Sequence, residues 1–260
     1  MIPVALTIAG SDPSGGAGMQ ADLKTFHQFG VYGEAVVTLV TVQNTLRVTR
    51  VECLSADLVR AQIQAVLEDI RPGAAKTGAL GNAAIVEAVA ELAAGFDFPL
   101  VVDPVMISKH GASLVAEDAR EAIARLLVPH ATLVTPNLAE ASALTGAVID
   151  SLEAMRRAAE RLCGMGARAA LIKGGHLGGD ATDVLFDGHD WQEFPAPRIQ
   201  TRHTHGTGCT YSAAITAELA RGADLHLAVA RAKAFITEAI RTAPGLGHDA
   251  GPVNHHARRP

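Results

Sequence analysis

Short apolar segments alternate along the chain with segments whose apolar residues recur every three to four positions. The first pattern is typical of buried strands and the second of amphipathic helices. Strand-like segments occur at 4–10, 34–45, 74–80, 98–106, the start of 131–144, and 167–175. Because strands that alternate with helices usually form parallel sheets, the pattern predicts an α/β fold with helices on both faces of a mostly parallel sheet.

Polar residues mark where several of the helices begin. Ser55, Asn82 and Ser151 each precede an apolar periodic segment and can accept a hydrogen bond from its first turn. The helices predicted in the middle and at the end of the chain lie at 55–70, 82–94, 117–127, 151–163 and 225–240.

The pattern changes between residues 180 and 204, where short segments are separated by Asp187-Gly188 and by two prolines. Breaks of this kind are typical of hairpins, so we expect an antiparallel edge on the sheet.

The last residues, from Pro244 onward, show no periodicity. We therefore expect one domain over 1–243 and a mobile tail over 244–260. The tail contains His255 and His256, which we expect to be a solvated pair rather than a metal site.

The composition narrows the function classes. Of the 260 residues 48% are apolar, which suits one domain with a full core. The net charge is -5, with two Tyr and one Trp, so neither a basic face nor an aromatic platform for nucleic acid is expected. The chain has three cysteines, Cys53, Cys163 and Cys209, which lie far apart in sequence and do not suggest a set of disulfides. We therefore expect the protein in the reducing cytoplasm. No segment has signal-peptide flanks or membrane-spanning length, so no membrane partner is expected.

The segment 205–215, HGTGCTYSAAI, combines glycines with small polar residues just before a helical run. Gly206 and Gly208 leave backbone N–H groups accessible, and Thr207 and Cys209 are too short to cover them. A helix N-terminus with accessible amides favours a phosphate. A tight turn before an ordinary helix is the alternative.

The first loop offers a competing motif. Gly16, Gly18 and Ala21 fit the GxGxxA form of a dinucleotide site, but the following strand ends in Gln43 and Asn44 instead of an acidic residue. The acidic residue normally holds a ribose, so we disfavour NAD. No GxxxxGK[ST] motif is present, which excludes a P-loop enzyme.

Polar side chains follow the predicted strands at the edge where open α/β sheets bind ligands. They are Asp12, Gln43, Asp103, Asn137, Glu140 and Lys173. Taken alone, Asp103 can be a turn residue and Asn137 can cap a helix. Together they predict one site, in which Asn137 and Glu140 share a helix face and can organise Mg²⁺ through water.

Several motifs together resemble the hydroxymethylpyrimidine/phosphomethylpyrimidine kinases of thiamine biosynthesis, in the ribokinase superfamily. They are IAGSDPSGGAGMQADLKT at 8–25, VTVQNT at 40–45, KTGAL at 76–80, DPVM at 103–106, TPNLAEA at 135–141, KGGH at 173–176 and HGTGCTYSAA at 205–214. The resemblance covers nearly the whole chain. It implies a three-layer αβα sandwich, usually homodimeric, that uses MgATP to phosphorylate 4-amino-5-hydroxymethyl-2-methylpyrimidine and then its monophosphate.

The resemblance also implies roles for individual residues. The pyrimidine would lie near Gly10, Asp22, Gln43 and Val105. ATP and magnesium would be served by Asp103, Asn137, Glu140, Lys173 and Thr207, with Glu140 and Asp103 reaching the metal through water. The chain departs from the usual KxGML form, because Ala79 replaces the methionine.

The resemblance assigns catalysis to the anion hole of Gly206 and Gly208, to Lys173, and to Cys209, where sugar kinases of the superfamily carry Asp. We expect Cys209 to accept the proton of the alcohol, with a pKa lowered by the helix N-terminus. A small cysteine that only packs is the alternative. A pyridoxal kinase of the same family and a non-catalytic binding module remain the other functional hypotheses.

Overall fold

The structure is a computed structural model that describes residues 2–106, 116–175 and 177–259. Its centre is a nine-stranded sheet with the strand order β3-β2-β1-β4-β5-β6-β7-β8-β9. The strands are β1 (Val4–Ser11), β2 (Tyr32–Gln43), β3 (Val48–Cys53), β4 (Ala74–Thr77), β5 (Leu100–Val102), β6 (Leu133–Val134), β7 (Ala170–Ile172), β8 (Asp183–Phe186) and β9 (Trp191–Phe194).

The sheet is parallel in its centre and antiparallel at both edges. Strands β2, β1, β4, β5, β6 and β7 run parallel to one another, whereas β8 and β9 form the antiparallel edge expected between residues 180 and 204. The opposite edge strand, β3, was not predicted. It pairs antiparallel with β2 and is mostly exposed, so it lacks the apolar run that identifies a buried strand.

Helices cover both faces, as the sequence predicts. They are α1 (Gly18–Gln28), α2 (Ala56–Asp69), α3 (Ala83–Ala93), α4 (Glu117–Ala122), α5 (Leu138–Thr145), α6 (Leu152–Gly164), α7 (Thr207–Ala220) and α8 (Leu225–Arg241). The side chains of Ser55, Asn82 and Ser151 accept hydrogen bonds from first-turn amides, which confirms the three predicted caps. The helix expected over 117–127 continues beyond α4 as a π-helical turn over Ile123–Leu127.

The sheet separates two hydrophobic cores. One core packs α2 to α6 against side chains such as Leu6 and Ile8 of β1, and the other packs α1, α7 and α8 against side chains such as Ala5. Neighbouring residues of β1 thus point to opposite faces, as the two-residue period of a strand requires. The α/β sandwich is therefore confirmed. In the described part of the chain, no helix combines the length and the apolarity that crossing a membrane requires.

The C-terminal segment is packed, which differs from the expected mobile tail. Val253 and Ala257 are buried in the core with α7 and α8, and residues 205 and 252 form a parallel bridge. His255 is also buried, and its Nε2 atom lies 3.1 Å from Thr210 Oγ1, so it is not a solvated residue. The segment lacks periodicity because it packs as an irregular chain, a state that hydrophobic spacing does not reveal.

Candidate active site

The HGTGC segment lies at a helix N-terminus, where the sequence predicted it. Gly206 is the N-cap residue of α7 and has a φ of 78°. A Cβ atom at this position would overlap the carbonyl oxygen of Gly16, so only glycine fits. The amides of Gly208 and Cys209 lie in the first turn, where N–H groups lack an acceptor within the helix. The segment can therefore bind an anion.

The glycines of the first loop allow this segment to approach. A Cβ atom on Gly16 would lie 2.5 Å from Cδ2 of His205, and one on Gly18 would overlap the carbonyl oxygen of Gly10. Their small size is thus required by contacts within the protein. This accounts for the GxGxxA pattern without a dinucleotide.

An ion pair lies beside the helix start. Lys173 Nζ is 3.1 Å from Oδ1 of Asp103, and a Cβ atom on Gly208 would lie 3.4 Å from the same Nζ. Ser212, one turn into α7, donates a hydrogen bond of 3.0 Å to the other oxygen of Asp103. Burial disfavours the Lys173 ammonium, but Asp103 and Glu140 more than offset this and raise the pKa of Lys173. A permanent positive charge therefore adjoins the anion site.

Glu140 and Asn137 form a capping box at the start of α5. The backbone amide of Asn137 donates to Glu140 Oε2 at 2.8 Å, and the backbone amide of Glu140 donates to Asn137 Oδ1 at 2.9 Å. The Asn137 oxygen is thus engaged in capping, which orients Glu140. Burial raises the pKa of Glu140 to about 7, although Lys173 opposes the shift. Among the described residues, no group of three or more His, Cys, Asp or Glu side chains has a metal-binding arrangement.

Asp22 forms a fully buried ion pair that the sequence did not reveal. Lys76 Nζ lies 2.8 Å from Asp22 Oδ2, and neither side chain is exposed. Thr7 donates to the same oxygen at 2.6 Å, whereas Oδ1 has no hydrogen-bond partner in the described structure. Burial raises the pKa of Asp22, with Lys76 opposing the shift. The lysine of the KTGAL motif at the end of β4 was the available signal.

Cys209 does not have the lowered pKa that we expected. Burial raises the pKa of its thiol to about 12, and the Asp22 carboxylate adds to the shift. Lys76 and the Gly18 amide, which hydrogen-bonds the thiol, act in the opposite direction. The expectation was wrong because it counted the helix N-terminus and omitted the burial and the neighbouring carboxylate.

A second polar group lies around His205. Its Nε2 atom is 2.7 Å from Asp12 Oδ2 and 3.3 Å from Gln43 Nε2. Asp12 also accepts hydrogen bonds from the amides of Ser14 and Ala17, at 2.9 Å each. Burial tends to raise the pKa of Asp12, but its hydrogen bonds to His205 and Ser14 prevail and lower it. Asp12, Gln43 and His205 thus join the end of β1, the end of β2 and the start of α7.

The remaining predicted residues lie around these groups. Gly10 is buried at the end of β1, where a Cβ atom would clash with Leu39, and Val105 is half-buried two residues beyond Asp103. Thr207 donates a 2.8 Å hydrogen bond to the Thr204 carbonyl, which fixes the start of α7. In the predicted KGGH motif, His176 lies outside the described residues.

The geometry brings the predicted residues into two neighbouring groups. Lys173, Asp103 and Glu140 interact electrostatically near the start of α7, and Gln43 meets His205, the residue just before that start. The thiol of Cys209 interacts with Asp103 of the first group and with the buried Asp22. An anion and a neighbouring polar ligand can therefore be held at the same helix start.

Comparison with known proteins identifies relatives over nearly the whole chain. The family described as phosphomethylpyrimidine kinase matches residues 12–254. The hydroxymethylpyrimidine/phosphomethylpyrimidine kinase of Bacillus subtilis is 48% identical over 97% of this chain and 94% of its own length.

Solved structures share the fold at similar identity. The ADP complex of Bacillus subtilis pyridoxal kinase has a TM-score of 0.92 and 40% identity, covering 99% of this chain and 98% of that one. The phosphomethylpyrimidine kinase of Clostridium difficile has a TM-score of 0.82 and 43% identity, covering 92% of this chain and 100% of that one.

Proposed function

The chain belongs to the phosphomethylpyrimidine kinase family, and on that premise we propose that it phosphorylates 4-amino-5-hydroxymethyl-2-methylpyrimidine with MgATP. The monophosphate is then phosphorylated in turn, which gives the pyrophosphate used in thiamine biosynthesis. The observation that carries the proposal is the position of the Lys173–Asp103 ion pair beside Gly208, at the accessible amides of α7.

The proposed mechanism rests on alignment and charge neutralisation. Phosphoryl transfer has a loose transition state and needs little covalent help from the protein. The amides of Gly206 to Cys209 would hold the transferring phosphoryl group, and Lys173 would neutralise charge on the ATP phosphates. Thr207 would contribute to ATP binding at the same helix start.

The acidic residues near Lys173 suit magnesium held through water. Mg²⁺ keeps several waters and takes one or two carboxylates when phosphates supply further oxygens. Asp103 and Glu140 are two buried carboxylates near Lys173, and Asn137 orients Glu140 through the capping box. When bound, the metal would neutralise charge on the phosphates.

Cys209 is proposed to contact the reacting alcohol. A pKa of about 12 keeps the group as a thiol at neutral pH, so it is not a preformed base. The substrate alcohol needs little deprotonation before the phosphoryl group begins to transfer. The thiol would therefore orient the hydroxyl group, and the proton of the alcohol would pass to an oxygen of the transferred phosphoryl group as the new O–P bond forms.

The pyrimidine ring is proposed to bind beside Gln43, near Gly10, Asp22 and Val105. The half-buried Gln43 amide can donate to a ring nitrogen and accept from the neighbouring amino group. The second oxygen of Asp22 has no partner in the described structure, which leaves it able to accept a hydrogen bond.

Pyridoxal is the alternative substrate. The observation that favours it is the TM-score of 0.92 with the Bacillus subtilis pyridoxal kinase. The higher identity, 48%, to the hydroxymethylpyrimidine/phosphomethylpyrimidine kinase of the same species favours the pyrimidine.

Phosphorus NMR of reactions with MgATP distinguishes the two. We expect ADP and a phosphomonoester from the pyrimidine alcohol and a pyrophosphate from its monophosphate, with slower turnover of pyridoxal. Turnover of pyridoxal alone would establish the alternative, and no turnover of any alcohol would favour a non-catalytic binding protein.

We also propose a homodimer in the cytoplasm. Val40 and Val42 of β2 and the following Leu46 expose 46%, 56% and 46% of their surface, which supports an apolar contact at this edge. The three cysteines are unpaired, which supports a reducing compartment. Sedimentation of the wild type and of Val42→Lys tests the dimer, which we expect the charge to dissociate.

A further inference from the structure

A cavity with a basic wall lies at the end of α7 that is remote from the active site. It has a volume of about 490 Å³ and is lined by Gln28, Glu218, Arg221, Arg231, Arg258 and Arg259. Arg221 follows the last residue of α7, whereas the anion hole is at its first residue. A helix of 14 residues spans about 20 Å, so the two sites are separate.

Two of the guanidinium groups are held side by side. Arg221 Nη1 and Arg259 Nη1 donate to the same carbonyl oxygen, that of Phe29, at 2.9 Å and 2.8 Å. A Cβ atom on the adjacent Gly30 would lie within 3.8 Å of both nitrogens, so both side chains lie directly over this glycine. Each guanidinium group uses one of its five donors here, which leaves the others available.

The described part of the chain supplies little counter-charge. Arg231 pairs with Glu218 at 2.9 Å, but Arg221, Arg258 and Arg259 form no ion pair with a described carboxylate. Four guanidinium groups and one carboxylate line the cavity. Glu238, which pairs with Arg241, lies outside the lining and also interacts with Arg258. Like charges held this close repel each other unless an anion joins them.

Helix capping explains only part of this arrangement. The carbonyl of Phe29 belongs to the C-cap residue of α1, and a cation near a helix C-terminus is stabilising. This accounts for one donor of Arg221 and one of Arg259. It does not account for Arg258, which makes no hydrogen bond to this carbonyl and still lines the cavity.

We propose that this cavity binds the diphosphate group of a small molecule. A diphosphate carries charge on two adjacent tetrahedral centres, which can be contacted by several guanidinium groups at once, and guanidinium forks pair with phosphate oxygens bidentately. The inference does not depend on which alcohol the active site phosphorylates.

Calorimetric titration with inorganic pyrophosphate at low salt, without magnesium, tests the proposal. Arg258→Gln should weaken binding at least about fivefold, the effect of losing one charge-assisted hydrogen bond. Glu218→Gln should tighten it about threefold, because it removes the one carboxylate in the wall while keeping a side chain that can bond Arg231. Arg161→Gln, an exposed arginine on α6, changes the net charge equally and should leave binding unchanged.

Pyrophosphate binding at the active site would be insensitive to these distant substitutions, so the pattern across variants identifies the cavity. Equal binding by the wild type and Arg258→Gln, with thermal melts showing both folded, would overturn the proposal and leave the arginines as helix caps. Citrate binding as tightly as pyrophosphate would overturn the preference for a diphosphate. ADP competing with pyrophosphate at the Arg258-sensitive site would support a nucleotide as the source of the diphosphate.

Discussion

Lys76 Nζ lies 2.8 Å from Asp22 Oδ2, and both side chains are completely buried. The two residues come from β4 and α1, and their charges act on the thiol of Cys209 in opposite directions. Burial disfavours the Lys76 ammonium, yet Asp22, Cys209 and Asp103 keep the pKa of Lys76 above its usual value. Lys76 therefore keeps its positive charge inside this buried pair.

Removing one member of this pair should destabilise the fold. Because it would leave the Asp22 carboxylate buried without its cation, Lys76→Met should lower the free energy of unfolding by about 3 to 5 kcal/mol. Urea denaturation measures the change, with Lys24→Met on the exposed face of α1 as the control. A loss below about 1 kcal/mol would show that removing Lys76 does not leave an uncompensated charge on the buried Asp22.

The thiol of Cys209 should react slowly and without a neutral-pH plateau. With a pKa of about 12, its alkylation by iodoacetamide should rise about tenfold per pH unit from pH 7 to pH 10, following the thiolate fraction. Site-resolved mass spectrometry measures this rate. Because it removes the group that orients the alcohol, Cys209→Ala should lower kcat by about 10²-fold with little change in ATP affinity. A rate that levels off near pH 7, or unchanged turnover in the variant, would contradict these assignments.

Glu140 should set the magnesium requirement. Glu140→Gln keeps the shape of the capping box but removes a negative charge beside a hard cation. We expect a higher Mg²⁺ concentration for half-maximal rate, measured by titration at fixed ATP. Glu160→Gln, on the exposed face of α6, is the matched control. An unchanged titration in Glu140→Gln would leave Glu140 with a structural role only.

His255 should make the packed C-terminal segment sensitive to acid. Burial lowers the pKa of His255 to about 4, and the positive charge of Lys24 makes a smaller contribution in the same direction. The unfolded chain then takes up a proton below about pH 6.5 that the folded chain takes up only near pH 4, so stability falls as the pH decreases through this window.

The expected loss is about 2 kcal/mol between pH 7 and pH 5. His255→Gln should show a smaller loss over the same range, whereas His256→Gln, on the exposed neighbour, should resemble the wild type. Urea denaturation at both pH values measures the difference. Identical losses in all three proteins would show that His255 is not buried as a neutral group.

Gln43 should determine the preference for the aminopyrimidine. Its amide matches the amino group and ring nitrogen of that ring, an edge that pyridoxal lacks. Gln43→Leu should therefore cost about 1 to 3 kcal/mol in kcat/KM for the pyrimidine alcohol and much less for pyridoxal. The exposed Gln64→Leu provides the control. An equal fall for both substrates would move the discrimination to the region of Ala79 and Asp22.

The predictable parts of the fold depend on residues close together in sequence. Ser55, Asn82 and Ser151 cap their helices through amides three residues away, and the sequence identified all three. The apolar period likewise identified the central strands. The edge strand β3 and the segment 250–259 were missed, because an exposed strand and an irregular packed chain have no periodic apolar pattern.

The candidate site also has parts that depend on neighbouring residues and parts that depend on residues far apart in sequence. The HGTGC segment was recognisable because the positive φ of Gly206 and the helix start after it are local properties of the chain. His205 belongs to that segment, but its partner Asp12 is 193 residues away, and no spacing rule connects them.

The sequence by itself determined the layered α/β architecture, the helix caps and the glycine-rich helix start at which we propose a phosphate site. Only the tertiary structure decided that Asp22 pairs with Lys76, 54 residues away, and that burial raises the pKa of Cys209 to about 12 instead of lowering it. Caps and strands are set by hydrogen bonds and side-chain alternation over a few residues, whereas ion pairs and pKa values depend on which distant elements exclude water from a group.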